Sequence, residues 1–351
     1  MSASSIVKRQ KVLNGVDESL VSPYGANVNG GSGSGSGTLM DNAIVLEGHT
    51  GSVLTGSFSS TDGRYIATGG LDKTINLWNL PMEGNSSLPP NYLAISGHKS
   101  AITCLKWSID DSNLITSSAD TTLGYWDSIT GKRVRKCSGH DLCVNQVAFV
   151  DGVNVCVSSG DDGYLLLWDF RTKDYVGEFK SEYPLLTCIT NNAKDTVYCS
   201  GIDPTIYAID LKKFPSELWV EQTTHKDYIS SLCVSKDDSI LISRSNDNTL
   251  RAFDCKKFVP QGLKRFKPSF IYDGSISGNE NLLIGCKISP NGLNLIAGGA
   301  DKTLTVWELQ SKKLISKLSG HNGSVIDVDY HPTVPVVLST STDGTCIVRE
   351  L

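Results

Sequence analysis

Five of the six histidines in this 351-residue chain precede an aspartate by 22 or 23 positions. The pairs are His49 and Asp72, His98 and Asp120, His140 and Asp162, His225 and Asp247, and His321 and Asp343. An imidazole beside a carboxylate can serve as a general base or hold a metal ion. Repetition argues against both, because a catalytic pair is needed once. The sixth histidine, His331, stands in YHPTVP and has no partner motif. There is no H-E-x-x-H, no G-x-S-x-G and no P-loop. Ten cysteines form no C-x-x-C pair; Cys104, Cys188, Cys233 and Cys286 sit in similar apolar runs, as small buried hydrophobes do. No catalytic residue, metal, cofactor or small-molecule substrate is expected, and the chain is read as a binding protein rather than an enzyme.

A different chemistry is offered by KKFVPQGLKRFKPSF, residues 256–270. Lys256, Lys257, Lys264, Arg265 and Lys267 are interleaved with Phe258 and Phe266, the pattern of a nucleic-acid contact. The net charge of −5 confines any such contact to a local patch. Two readings of the stretch stand open: a loop that docks on a partner, with RNA phosphates the lesser target, or a solvated linker whose Phe side chains cover strand edges. Arg171, in WDFR at 168–171, is a further candidate, able to pair with a partner's carboxylate.

The elements that carry these residues follow from composition and period. Hydrophobic residues make up 39 % and charged residues 20 %, an ordinary globular balance. No apolar run has signal-peptide or membrane-span length, so a reducing compartment and no membrane contact are expected. Residues 1–41 hold NGGSGSGSG and the basic cluster VKRQK, and are expected to form a flexible arm. From residue 42 to 351 the chain repeats. Asp72, Asp120, Asp162, Asp203, Asp247, Asp301 and Asp343 each stand six residues before Trp78, Trp126, Trp168, Ile209, Phe253, Trp307 and Arg349. A period near forty with Gly-His and Trp-Asp marks predicts β-propeller blades of short strands and polar turns. Seven repeats predict an all-β fold of seven blades. Ala43–Leu46 is expected to supply the outer strand of the seventh blade and close the ring, leaving no open edge.

The Gly-His pairs at 48–49, 97–98, 139–140 and 320–321, with WN, WD or WE at four repeats, resemble the WD-repeat family over residues 42–351. That resemblance implies a buried hydrogen-bond network joining the His, the turn Asp, a strand hydroxyl and the Trp. The hydroxyl candidates are Thr68, Thr116, Ser158, Ser243 and Ser339, each four residues before its Asp. Further marks are narrower: Phe258 and Pro260, then Asn281-Leu282-Leu283, Cys286 and Ser289-Pro290, with VKRQ at 7–10. Together they resemble the family of 40-kilodalton WD-repeat proteins of the U5 small nuclear ribonucleoprotein. The resemblance implies a nuclear, non-catalytic spliceosome subunit that docks on the particle's large central scaffold protein. A rival comes from W-D-x-R at 168–171, which resembles substrate receptors of cullin-type ubiquitin ligases.

Overall fold

The structure, a computed structural model, describes residues 10–12, 43–80, 91–257, 265–278 and 280–351. Most of the 1–41 arm, the 81–90 loop and residues 258–264 lie outside these, and with them the candidate contact residues Phe258 and Lys264; of Lys267 only the backbone is described.

Seven antiparallel sheets form the blades of a β-propeller, six of four strands and one of five. Blade three shows how the sequence builds one. Val144–Phe149, Val155–Gly160, Tyr164–Asp169 and Tyr175–Lys180 run inner to outer as a meander. The two middle strands are apolar on both faces because neighbouring blades cover both, and the outer strand exposes most of its residues. The turn Asp of each repeat sits between the second and third strands; in six blades its carboxylate caps the backbone N–H two residues on, and in blade four Asp203 accepts from the Thr205 hydroxyl instead. In the same six blades the following residue takes a left-handed conformation, as in Lys73 at φ 65° and Gly163 at φ 77°, whereas blade four has Pro204 there.

The inner strands of blades one to five and seven each carry a register shift near their first residues. A bulge at that place re-aims side chains at the mouth of the central channel. The core is divided between blade interfaces. One cluster joins Ile44, Leu46, Val53, Trp78, Leu338 and Val348, so blade one packs on blade seven through a strand from the start of the described chain.

Blade seven is completed from both ends of the sequence. Ala43–Glu47 pairs antiparallel with Thr345–Glu350, Ile44 opposite Val348 and Leu46 opposite Cys346. Gln10–Val12 adds a fifth strand on the outside, Lys11 opposite Val45. Among the described residues the only helix is the short 3-10 turn Leu211–Lys213, and no helix is long and apolar enough to cross a membrane.

Candidate interaction site

The recurring His and Asp meet in five blades. In blade one, His49 Nδ1 lies 2.9 Å from Asp72, and its Nε2 lies 2.8 Å from Thr68 Oγ1, which also accepts from Trp78 Nε1 at 2.9 Å. Blade two repeats this with His98, Asp120, Thr116 and Trp126, and blade three with His140, Asp162, Ser158 and Trp168. A neutral ring fits this geometry: Nδ1 donates to the carboxylate, and Nε2 accepts from the hydroxyl, which itself accepts from Trp. Every polar atom is satisfied with a neutral ring, which suits burial. Two of the Gly-His marks have a packing reason for their Gly: a Cβ on Gly97 or Gly139 would come within 2.8 Å of the Trp126 or Trp168 ring.

Blades five and seven keep three members each. His225 bridges Asp247 and Ser243, and His321 bridges Asp343 and Ser339, with Phe253 and Arg349 in place of Trp. In blade six the expected network is absent. Asp301 bonds Thr303 and Lys317, while Trp307 Nε1 donates to the Asp273 carbonyl, because Ala297 supplies no hydroxyl and no His is present. Asp301 and Trp307 are thus correct as blade marks but not as network members.

Burial shapes the protonation of these groups. It lowers His98 and His225 below the usual imidazole value, although Asp120 and Asp247 oppose it. Burial alone would raise Asp120, yet Thr122, the Lys99 amide and His98 bring it down to about 2. Asp72, Asp247 and Asp343 are likewise held low against burial, chiefly by their His partners. The unfolded chain takes up protons at these sites first, so acidification destabilises the fold. The unfolding temperature is expected to fall from about pH 7.5 to about pH 5.5 as His98 and His225 pass their unfolded value near 6.5, and again below the ordinary carboxylate range. An unfolding temperature constant across the first interval would contradict the neutral-ring assignment. At neutral pH, His140→Ala is expected to cost about 2–3 kcal/mol in urea denaturation, since Asp162 and Ser158 lose a buried partner.

The basic stretch turns partly inward. Arg265 is only 8 % exposed. Its guanidinium carbon lies 4.3 Å from the Trp219 ring centroid, and its nitrogens donate to the carbonyls of Asp254, Lys256 and Lys257. Phe266 packs on Phe253 at 5.6 Å between ring centroids. Of the two readings, these side chains follow the second: Arg265 and Phe266 pack on blades four and five rather than facing outward to a partner. Arg265→Ala is therefore expected to cost about 2 kcal/mol in denaturation, and Arg265→Lys nearly as much, because an ammonium cannot make the fork of contacts. Lys257 is bound to Asp195 at 2.9 Å, and Lys256 lies exposed with its ammonium 4.0 Å from Asp254. Arg171 is exposed but paired within the chain, Nη2 at 2.7 Å and Nε at 2.9 Å from the Asp169 carboxylate.

Sequence reading missed a charged cluster on the channel wall. Asp329, buried, accepts from Ser57 Oγ and the Phe58 amide, and faces Lys287 at 3.3 Å. Asp327 accepts from Thr55 Oγ1 and the Gly56 amide. Burial would lower Lys106, but Cys104, Asp327 and Asp329 push it up, and Lys287 with Lys106 holds Asp329 down against its own burial. The signal that was present is Lys or Asp at inward positions of otherwise apolar inner strands, in CLKW, GCKI and IDVDY. Lys106 and Asp327 also line a cavity of about 200 Å³ that opens at the channel mouth on the His-Asp end. Among the described residues, no group of three or more His, Cys, Asp or Glu could hold a metal ion.

A rigid ring with buried polar networks and loop-built ends is what a binding scaffold requires. The profile of the WD domain, G-beta repeat, matches residues 41–79, 91–127, 131–169, 218–254, 270–308 and 312–349. Most of blade four falls between matches, in keeping with its lack of the His, hydroxyl and Trp marks. The chain is 37 % identical to the pre-mRNA-splicing factor cwf17 of Schizosaccharomyces pombe, over 88 % of this chain and 87 % of that protein. It is 33 % identical to the U5 small nuclear ribonucleoprotein 40 kDa protein of Homo sapiens, over 88 % and 83 %, and 31 % identical to that of Dictyostelium discoideum, over 88 % and 84 %. Seven blades, their shared networks and this kinship along the ring place the chain in the WD40-repeat family, among relatives named for splicing and the U5 particle.

Proposed function

We propose that this protein is a non-catalytic subunit of the U5 small nuclear ribonucleoprotein in the nucleus, docking on the particle's large central scaffold protein and supporting pre-mRNA splicing. The observation that carries the reading is 37 % identity to a pre-mRNA-splicing factor across 88 % of the chain. The geometry agrees with a scaffold role, since five of the six histidines are engaged in buried blade networks. The proposal leaves RNA contact through the basic stretch a minor part, because Arg265 faces inward and Lys257 is paired. Depletion of the protein from cells tests the role. Intron retention across many transcripts, reversed by the intact chain, is the expected result; unchanged splicing after complete depletion would overturn it.

A further inference from the structure

The His-Asp end of blades three and four carries an unusual surface. Four loop segments meet there: 139–143, 161–163, 181–184 and 202–204. They touch through backbone hydrogen bonds from Asp161 to Cys143, Ser181 to Gly163 and Ile202 to Pro184. Three large apolar side chains stand out of them, Leu142 at 53 %, Tyr183 at 50 % and Ile202 at 50 % exposure. Adjacent exposed apolar groups on a soluble face mark an interaction site more than scattered ones do. Around them lie Asp141, Asp161, Glu182 and Asp203, and the four segments contain no Lys or Arg. Asp161 accepts from Asn145 and Asp203 from Thr205, both neutral donors that leave the charges uncompensated. The nearest base in sequence, Lys180, is turned to the Tyr164 ring at 3.8 Å and to the Asp162 carbonyl.

The channel-mouth cavity opens at this same end; Leu54, Leu186, Leu282, Leu283 and Ile326 give it an apolar side, with Asn145, Gln146 and the charged Lys106 and Asp327 also in its wall. Leu186 comes from blade four, directly after the 181–184 loop. A cavity with an apolar side thus opens at the end that also carries the apolar loop tips and the four carboxylates.

We infer that this surface binds an extended protein segment that seats one apolar side chain in the channel mouth and lays Lys or Arg residues across blades three and four. Four carboxylates repel nucleic-acid phosphates, so the occupant is protein. The apolar side of the cavity anchors the segment, and the acidic rim speeds encounter and selects its charge. The inference deepens the scaffold reading by assigning a docking surface and the chemistry of its partner.

The test uses the full chain in cells with Tyr183 replaced by a photoreactive benzoylphenylalanine, and a control with the same replacement at rim residue Val176. After irradiation, mass spectrometry identifies the joined peptide. The expected result is a protein segment at Tyr183 with Lys or Arg flanking an apolar residue, its yield reduced about tenfold by Asp141→Lys with Glu182→Lys. Thermal unfolding of the charge-reversed chain should be unchanged, both residues being exposed. A crosslink to RNA, to an acidic segment, or none above the Val176 control would overturn the inference. Whether the joined protein belongs to the U5 particle is read separately: a basic segment from elsewhere would keep the docking surface and overturn the functional reading.

Discussion

Removal of residues 43–47 is expected to abolish cooperative folding of the propeller. That segment is the only hydrogen-bonded neighbour of Thr345–Glu350 on its outer side. Ile44 is fully buried and Leu46 is 2 % exposed, both inside the cluster that joins blade seven to blade one through Val53 and Trp78. Truncating either to Ala alone is expected to cost about 2–5 kcal/mol. Losing both, with the backbone ladder, approaches the whole stability of a domain, about 5–15 kcal/mol. It would also expose an open strand edge at the ring's seam. Urea denaturation and size-exclusion chromatography check this: the shortened chain should aggregate or unfold without a sharp transition. Ile44→Ala provides the graded version, a folded ring with a lower midpoint. A shortened chain with an unchanged midpoint would contradict the closure.

Asp329→Ala is the second large effect, at about 3 kcal/mol. The carboxylate ties three blades together at the channel: its own seventh, the first through Ser57 and Phe58, and the sixth through Lys287. Its loss leaves the Phe58 amide unmet, Ser57 with only its 3.3 Å bond to the Phe58 carbonyl, and Lys106 with less to offset its burial. Asp329→Asn should cost less than Ala, since an amide oxygen can still accept from Ser57. Denaturation of both variants, with a double-mutant cycle against Lys287→Met, separates the ion pair from the hydrogen bonds. Asn as costly as Ala, or a loss below about 1 kcal/mol, would contradict the role given to this cluster.

What was legible in the sequence is what repeats. The Asp and Trp marks report turns and strand ends that every blade must build, so seven copies reveal the architecture even where Ile209, Phe253 or Arg349 replaces Trp. Ile209 and Phe253 fill the same buried position at 0 % exposure, and Arg349 instead donates to the Ser319 carbonyl at 2.7 Å. Features that occur once were harder to read. A basic, aromatic loop has the same composition whether Arg265 points to solvent or lies over Trp219, and the register of the loop against blade five decides it. The channel cluster draws Lys106, Lys287, Asp327 and Asp329 from inner strands far apart in the chain, and no local spacing joins them. The acidic, apolar surface of blades three and four is similar in kind, a juxtaposition of loops that each look ordinary alone.

The central claim, membership of the U5 particle, is tested most directly by purifying the tagged chain from nuclear extract and identifying its RNA and protein partners together. The account predicts enrichment of U5 small nuclear RNA and the large splicing scaffold protein. Recovery of a cullin adaptor without small nuclear RNA would contradict it.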